Sequence, residues 1–261
     1  MSSEDLLALA PPPADVRVSY DSDASQYGEL RLPRTGSPFP IVMNIHGGFW
    51  RAQYDLAHGG HLCAALAARG LATWNVEYRR VGNHGAGWEG TFADVRAALR
   101  FLRRRAQEYE LDASTVVALG HSAGGQLALA LAAHEPGLKG VVSLAGVVDL
   151  REACNLHLSH DAVMAFLGGR PSDAPEKYRQ ADPMQLIINR DVSQWVIHGS
   201  ADDVVPSNFS RRYAEQKKKA GEDANYLEIP NAGHFDLIDP RSKAWSVVES
   251  TVLHLATRPR T

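Results

Sequence analysis

The stretch STVVALGHSAGGQLALA, residues 114–130, passes from a β-branched apolar run through several small residues into a helix-forming run. Val116 to Leu119 fits a strand covered on both faces, and the residues from Gln126 onward fit a helix. Between them, Gly120, Ala123 and Gly124 keep bulk away from an abrupt turn and let helix and strand approach closely. A side chain at such a turn is pushed out at the carboxyl end of a sheet, where sites in α/β proteins open. Ser122 holds that place. Gly120-x-Ser122-x-Gly124 in a strand-turn-helix setting is the pattern of a nucleophile elbow. A chance turn of small residues could carry the same spacing, so Ser122 needs partners before it implies chemistry.

Outward from this point the chain alternates strands and helices. Upstream, DVRVSY and GELRLP read as an antiparallel hairpin, and FPIVMNIHGG as a covered strand ending in glycines. A short helix closed by Gly70, the strand LATWNVEY, a glycine-rich loop carrying Trp88 and a long helix from near Phe92 follow. Downstream come the strands LKGVVSLAG, SQWVIHG and NYLEIP, a helix over NFSRRYAEQKKKAG and a last helix from about residue 243 to 255. The rhythm fails only between about 149 and 190, which reads as an excursion of short helices over one edge of the core. Such alternation predicts a three-layer α/β/α sandwich: about eight strands, mostly parallel, with an antiparallel N-terminal hairpin. A single domain is expected.

Composition narrows the partners. Lys and Arg number 27 against 30 Asp and Glu, a balance that leaves no basic footprint for nucleic acid or an anionic membrane. The two cysteines, Cys63 and Cys154, lie in no Cys-rich framework and read as free thiols. The acidic, proline-broken start is a poor signal peptide, so the cytoplasm is the expected compartment. His58 with His61, and His157 with His160, stand three apart, but no third ligand joins either pair at a diagnostic spacing. No metal and no organic cofactor is expected. Nothing in the residues decides between a monomer and a homodimer.

A serine hydroxyl needs a base within hydrogen-bond reach. Of eleven histidines, His234 is best placed, just beyond a strand in the loop IPNAGHFDL and ahead of the final helix. A base of this kind uses a carboxylate on its far nitrogen. VIHGSADDVVP ends a strand and offers Asp202 and Asp203, falling between Ser122 and His234 in the order Ser, Asp, His. Acyl transfer also needs fixed donors for a developing oxyanion. NIHGGFW supplies backbone N–H groups around Gly47 and Gly48, with Phe49 one register step further, and Ala123 supplies the second donor. His46 and His121 read as supports of the two motif stretches.

With these motifs the chain resembles α/β-hydrolases of the esterase/lipase group that carry HGG and GHSAGG. It is similar in particular to short bacterial carboxylesterases and, through HGGFW, to kynurenine formamidases. HGSADDVVP resembles the aspartate turn of prolyl oligopeptidase-like and feruloyl-esterase-like hydrolases. The resemblance runs from the third strand to the last helix. It implies that Ser122 is the nucleophile, His234 the base and Asp202, not Asp203, the partner of that base. Phe49 stands where hormone-sensitive-lipase-like enzymes have a third glycine, which argues against their large N-terminal cap. Phe49, Trp50, Trp88, Met164, Phe166 and Leu167 are then the expected pocket walls. The leading expectation is hydrolysis of small hydrophobic or aryl carboxylic esters through an acyl-enzyme. An arylformamidase acting on N-formyl amides is the alternative, and a non-catalytic binding scaffold is a distant third.

Overall fold

A computed structural model describes residues 3–258. Eight strands form one sheet: β1 (Val16–Ser19), β2 (Tyr27–Arg31), β3 (Phe39–Ile45), β4 (Ala72–Val76), β5 (Leu111–His121), β6 (Gly140–Leu144), β7 (Ser193–Gly199) and β8 (Ala224–Ile229). Their order is β1-β2-β4-β3-β5-β6-β7-β8. The β1–β2 and β2–β4 pairs are antiparallel, and every pair from β4–β3 to β7–β8 is parallel.

The central strand explains the double covering. Along β5, Val116 and Ala118 face one core, shared with α2 (Trp88–Arg104) and α3 (Ala123–His134). Val117 and Leu119 face the other, shared with α1 (Gly60–Ala67) and α8 (Trp245–Thr257). Period-two alternation with apolar residues on both sides leaves no polar face, so the strand reads as continuous hydrophobic sequence. Helix α3 is buried from Ala123 through Ala132, which is why Leu and Ala occupy it all round.

One boundary differs from the sequence reading. Helix α2 begins at Trp88 rather than near Phe92, because Gly87 at φ 95° turns the chain and the Trp88 ring stacks on Phe92, 4.5 Å between centroids. The segment after β6 carries α4 (Leu150–Asn155), α5 (Leu158–Leu167) and α6 (Pro175–Ala181). Ser159, His160 and Asp161 are left-handed, so α5 is regular only from Ala162. Helix α7 (Asn208–Lys219) joins β7 to β8. Both cysteines are buried free thiols. Among the described residues no helix is long and apolar enough to cross a membrane.

Candidate active site

Three backbone segments meet at Ser122, and the small residues of the opening stretch make room for them. A Cβ on Gly120 would lie 2.0 Å from the Gly124 carbonyl oxygen, and one on Gly124 would lie 2.0 Å from the Ile45 carbonyl oxygen. Ser122 itself is held at φ 56°, ψ −119°, a left-handed conformation that costs a non-glycine residue about 1–3 kcal/mol. Its backbone is fixed on both sides. The N–H donates to Leu144 O at 2.8 Å, while the carbonyl accepts from Gly125 N at 3.0 Å and Val147 N at 3.2 Å.

Beyond β7, the Asp202 side chain is wholly buried and uses both oxygens. Oδ1 accepts the Val204 and Val205 N–H groups, each at 2.9 Å, and Oδ2 meets His234 Nδ1 at 2.7 Å. Asp203 is exposed and has no bond to His234. Sequence reasoning missed a second imidazole on Asp202: His198 Nε2 lies 3.1 Å from Oδ2, and Nδ1 lies 2.8 Å from Ser210 Oγ. The signal was the four-residue spacing from His198 to Asp202 across one tight turn. Burial pushes the Asp202 carboxyl up, but hydrogen bonds from His198 and His234, attraction to His234 and the Val205 amide outweigh it. The group is held well below the usual carboxylate range.

His234 precedes a 3₁₀ turn at Phe235–Ile238, and its carbonyl accepts from His121 Nε2 at 3.0 Å. Thus His121, from the Ser122 turn, braces the loop that carries His234. With Nδ1–H committed to Asp202, Nε2 of His234 is left as an acceptor. Ser122 and His234 face one cavity.

The loop after β3 completes the site. A Cβ on Gly47 would lie 3.0 Å from Ser122 Cβ, so this loop lies directly against the serine turn. Gly48, Phe49 and Trp50 all have positive φ, at 109°, 49° and 57°. At the first position of α3, the Ala123 N–H has no acceptor within the helix. His46 holds the loop from behind: Nδ1 lies 2.8 Å from Gly47 O, Nε2 lies 3.1 Å from Glu77 Oε1, and the ring stacks on Tyr78. Glu77, just past β4, also accepts the Leu56 and Tyr78 N–H groups at 3.1 and 2.8 Å. The structural signal for Glu77 is its place directly after β4, a strand buried along its whole length.

The cavity is about 360 Å³ and is lined by Leu7, Gly48, Phe49, Tyr54, His58, His121, Ser122, Val204, His234 and Phe235. Of the six expected wall residues only Phe49 lines it. Trp50 is turned inward, stacked on Phe166 at 4.5 Å and donating from Nε1 to Gln126 Oε1 at 3.1 Å. Trp88, Phe166 and Leu167 are buried in the main core, with Met164 packed against it. Alternating buried and exposed positions cannot be told from pocket-lining ones by hydrophobicity, and the excursion supplies core instead of wall. Among the described residues no group of three or more His, Cys, Asp or Glu could hold a metal. His61 Nε2 meets Leu9 O at 3.3 Å and His157 Nδ1 meets Asp161 Oδ1 at 2.6 Å.

His58 sits in the 3₁₀ turn Leu56–Gly59, which Asn75 and Glu77 grip by the Leu56 carbonyl and amide. Burial, with the nearby His46, pushes His58 down to about 3, and burial with the neighbouring His234 and His58 lowers His121 well below the imidazole range. Both are therefore neutral in the native state at pH 5, whereas in the unfolded chain they protonate below about 6.5. Asp182 acts oppositely: burial raises it to about 6, so the native state holds a proton that the unfolded chain has released. From pH 6 to 5 two extra protons on the unfolded side exceed one on the native side. Stability is expected to fall by roughly 1 kcal/mol over that unit. His58→Phe removes one of the two and should leave urea-melt stability nearly flat between pH 6 and 5. An unchanged slope in the variant would rule out this assignment.

Comparison with known proteins places the chain in a family. The chain is 29% identical over 244 residues to esterase LipC of Mycobacterium tuberculosis, covering 85% of this chain and 60% of that protein. It is 22% identical over 236 residues to kynurenine formamidase of Drosophila melanogaster, covering 83% and 75%. The chain spans roughly half to three fifths of the length of the first curated relatives. A truncated carbohydrate esterase from gut microbiota shares the fold, with a TM-score of 0.82 at 23% identity over 96% of this chain and 100% of that one. Residues 29–216, most of the chain, match the BD-FAE family model. This protein is a member of the BD-FAE family, with an α/β-hydrolase fold.

Proposed function

We propose that this protein is a serine hydrolase of small carboxylic esters, with Ser122 as nucleophile, His234 as base and Asp202 as the group that orients His234. The observation that carries the reading is the 2.7 Å bond from His234 Nδ1 to the buried Asp202 carboxylate, in a loop that shares a cavity wall with Ser122. That bond fixes the tautomer whose Nε2 can take the Ser122 proton as Oγ bonds to the ester carbonyl carbon. The tetrahedral oxyanion is received by the N–H of Ala123 and that of Gly48, with Phe49 the neighbouring choice. Collapse breaks the bond to the alcohol oxygen, which leaves with the proton from Nε2. Water then repeats the sequence, releasing the acid and restoring Ser122.

The apolar lining, Leu7, Phe49, Val204 and Phe235 around Ser122, favours a small hydrophobic or aryl ester, and about 360 Å³ lies at the small end of ligand pockets. Similarity to a kynurenine formamidase supports a second reading, cleavage of an N-formyl amide by the same residues. The triad chemistry does not choose between them. Measured kcat/KM values for short aryl and alkyl esters are expected to exceed that for N-formylkynurenine. If N-formylkynurenine exceeds every ester by about a hundredfold, roughly 2.7 kcal/mol of transition-state preference, the arylformamidase reading replaces the esterase one.

A further inference from the structure

One wall of the cavity comes from a part of the chain that carries no motif. Residues 3–8 form a 3₁₀ turn that packs against two others, Leu56–Gly59, which carries His58, and Phe235–Ile238, which follows His234. Within it Leu6 is 1% exposed and belongs to the core cluster of Leu237 and Ile238. Leu7, the next residue, faces the other way: it lines the cavity and is 44% exposed.

The chain beyond this turn is fastened down step by step. Leu9 N donates to Leu6 O at 3.2 Å, and His61 Nε2 lies 3.3 Å from Leu9 O. Arg31 Nη2 donates to Pro12 O at 2.8 Å. Where Pro11 crosses the start of α1, a Cβ on Gly60 would come within 2.6 Å of Pro11 Cβ, so glycine leaves the passage open. Residues 6–12 are thus a strap laid across the α1 end of the site.

We infer that Leu7 is a specificity-determining residue, the contact by which the pocket grips the apolar part of its ester; this rests on the esterase reading above. A leucine left nearly half exposed, beside a neighbour that anchors it, holds apolar surface that water covers until an apolar ligand does. Covering that surface strengthens binding in proportion to the area withdrawn from water. Polar or very short substrates would not reach it and gain nothing.

The test compares wild type with Leu7→Ala and Leu7→Trp, both leaving the Leu6 anchor intact. Two ester series are used: 4-nitrophenyl acetate, butyrate and hexanoate, varying the acyl chain, and methyl, butyl and benzyl butyrate, varying the alcohol. Leu7→Ala is expected to lower kcat/KM for the larger members of one series by about tenfold, through KM, with the smallest member of that same series changed far less. Leu7→Trp should penalise the largest members and spare the small ones. The same pair of substitutions in a Ser122→Ala background, with the dissociation constant for 4-nitrophenyl butyrate read by calorimetry, gives a readout independent of turnover. A tenfold weakening there supports the role of Leu7 even if the esterase reading fails. Size profiles and dissociation constants unchanged by either substitution would overturn it, while a wild type inert to all esters would instead overturn the esterase reading.

Discussion

Ser122→Ala is expected to abolish ester turnover, lowering kcat by about 10^6-fold, the scale seen when a triad nucleophile is removed elsewhere. The fold should survive the change. Ser122 is bound to its surroundings through its N–H and carbonyl, which alanine retains, and alanine has the same Cβ at φ 56°. What disappears is the oxygen proposed to form the acyl bond. Assay of purified protein with an unchanged melting temperature separates this from misfolding. Residual turnover within about a hundredfold of wild type would remove Ser122 from the mechanism.

The second large effect is expected at Asp202. Asp202→Asn should lower kcat by about 10^4-fold, as when the corresponding carboxylate of a serine protease is neutralised. The direction of the defect follows from the environment. Oδ1 faces two backbone N–H donors, from Val204 and Val205, so the amide oxygen must take that side. The amide nitrogen then faces His234 Nδ1 and forces the wrong tautomer, with the proton on Nε2 where the serine proton has to go. Asp203→Asn should stay within about twofold, since Asp203 is exposed and has no bond to His234. Melting curves and kcat for both variants settle the matter, and the opposite ranking would reverse the assignment.

The layered sheet was legible because β5 and β3 carry unbroken apolar runs and the connecting helices show their own spacing. The serine turn was legible for a related reason: backbones so close that an added Cβ would fall 2.0 Å from a carbonyl oxygen admit only glycine, and those glycines mark the sequence. His234 and the Asp202–Asp203 pair could be placed at strand ends, while the choice of Asp202 came from the resemblance. The pocket could not, since its walls come from segments far apart in the chain. Leu7, Tyr54, Val204 and Phe235 converge only after the sheet has brought the turns together. Trp50 misled for a physical reason as well: adjacent to Phe49, it points into the core because successive positive φ values turn the two rings apart, to 6.4 Å and 74° between planes.

Glu77 has a consequence for motion. Its carboxylate, 1% exposed, joins His46 behind the Gly47–Gly48 loop, the amide of Leu56 at the head of the His58 turn, its own neighbour Tyr78 and, at 3.2 Å, Arg80. A buried carboxylate stripped of any one of these donors would be left poorly compensated. The loop before Phe49 and the turn bearing His58 therefore cannot loosen separately without exposing the same charge to an apolar surrounding. They are expected to open as a single cooperative unit of local unfolding, so that thermal breathing of the pocket takes the Gly47–Gly48 loop and the histidine wall out together and returns them together.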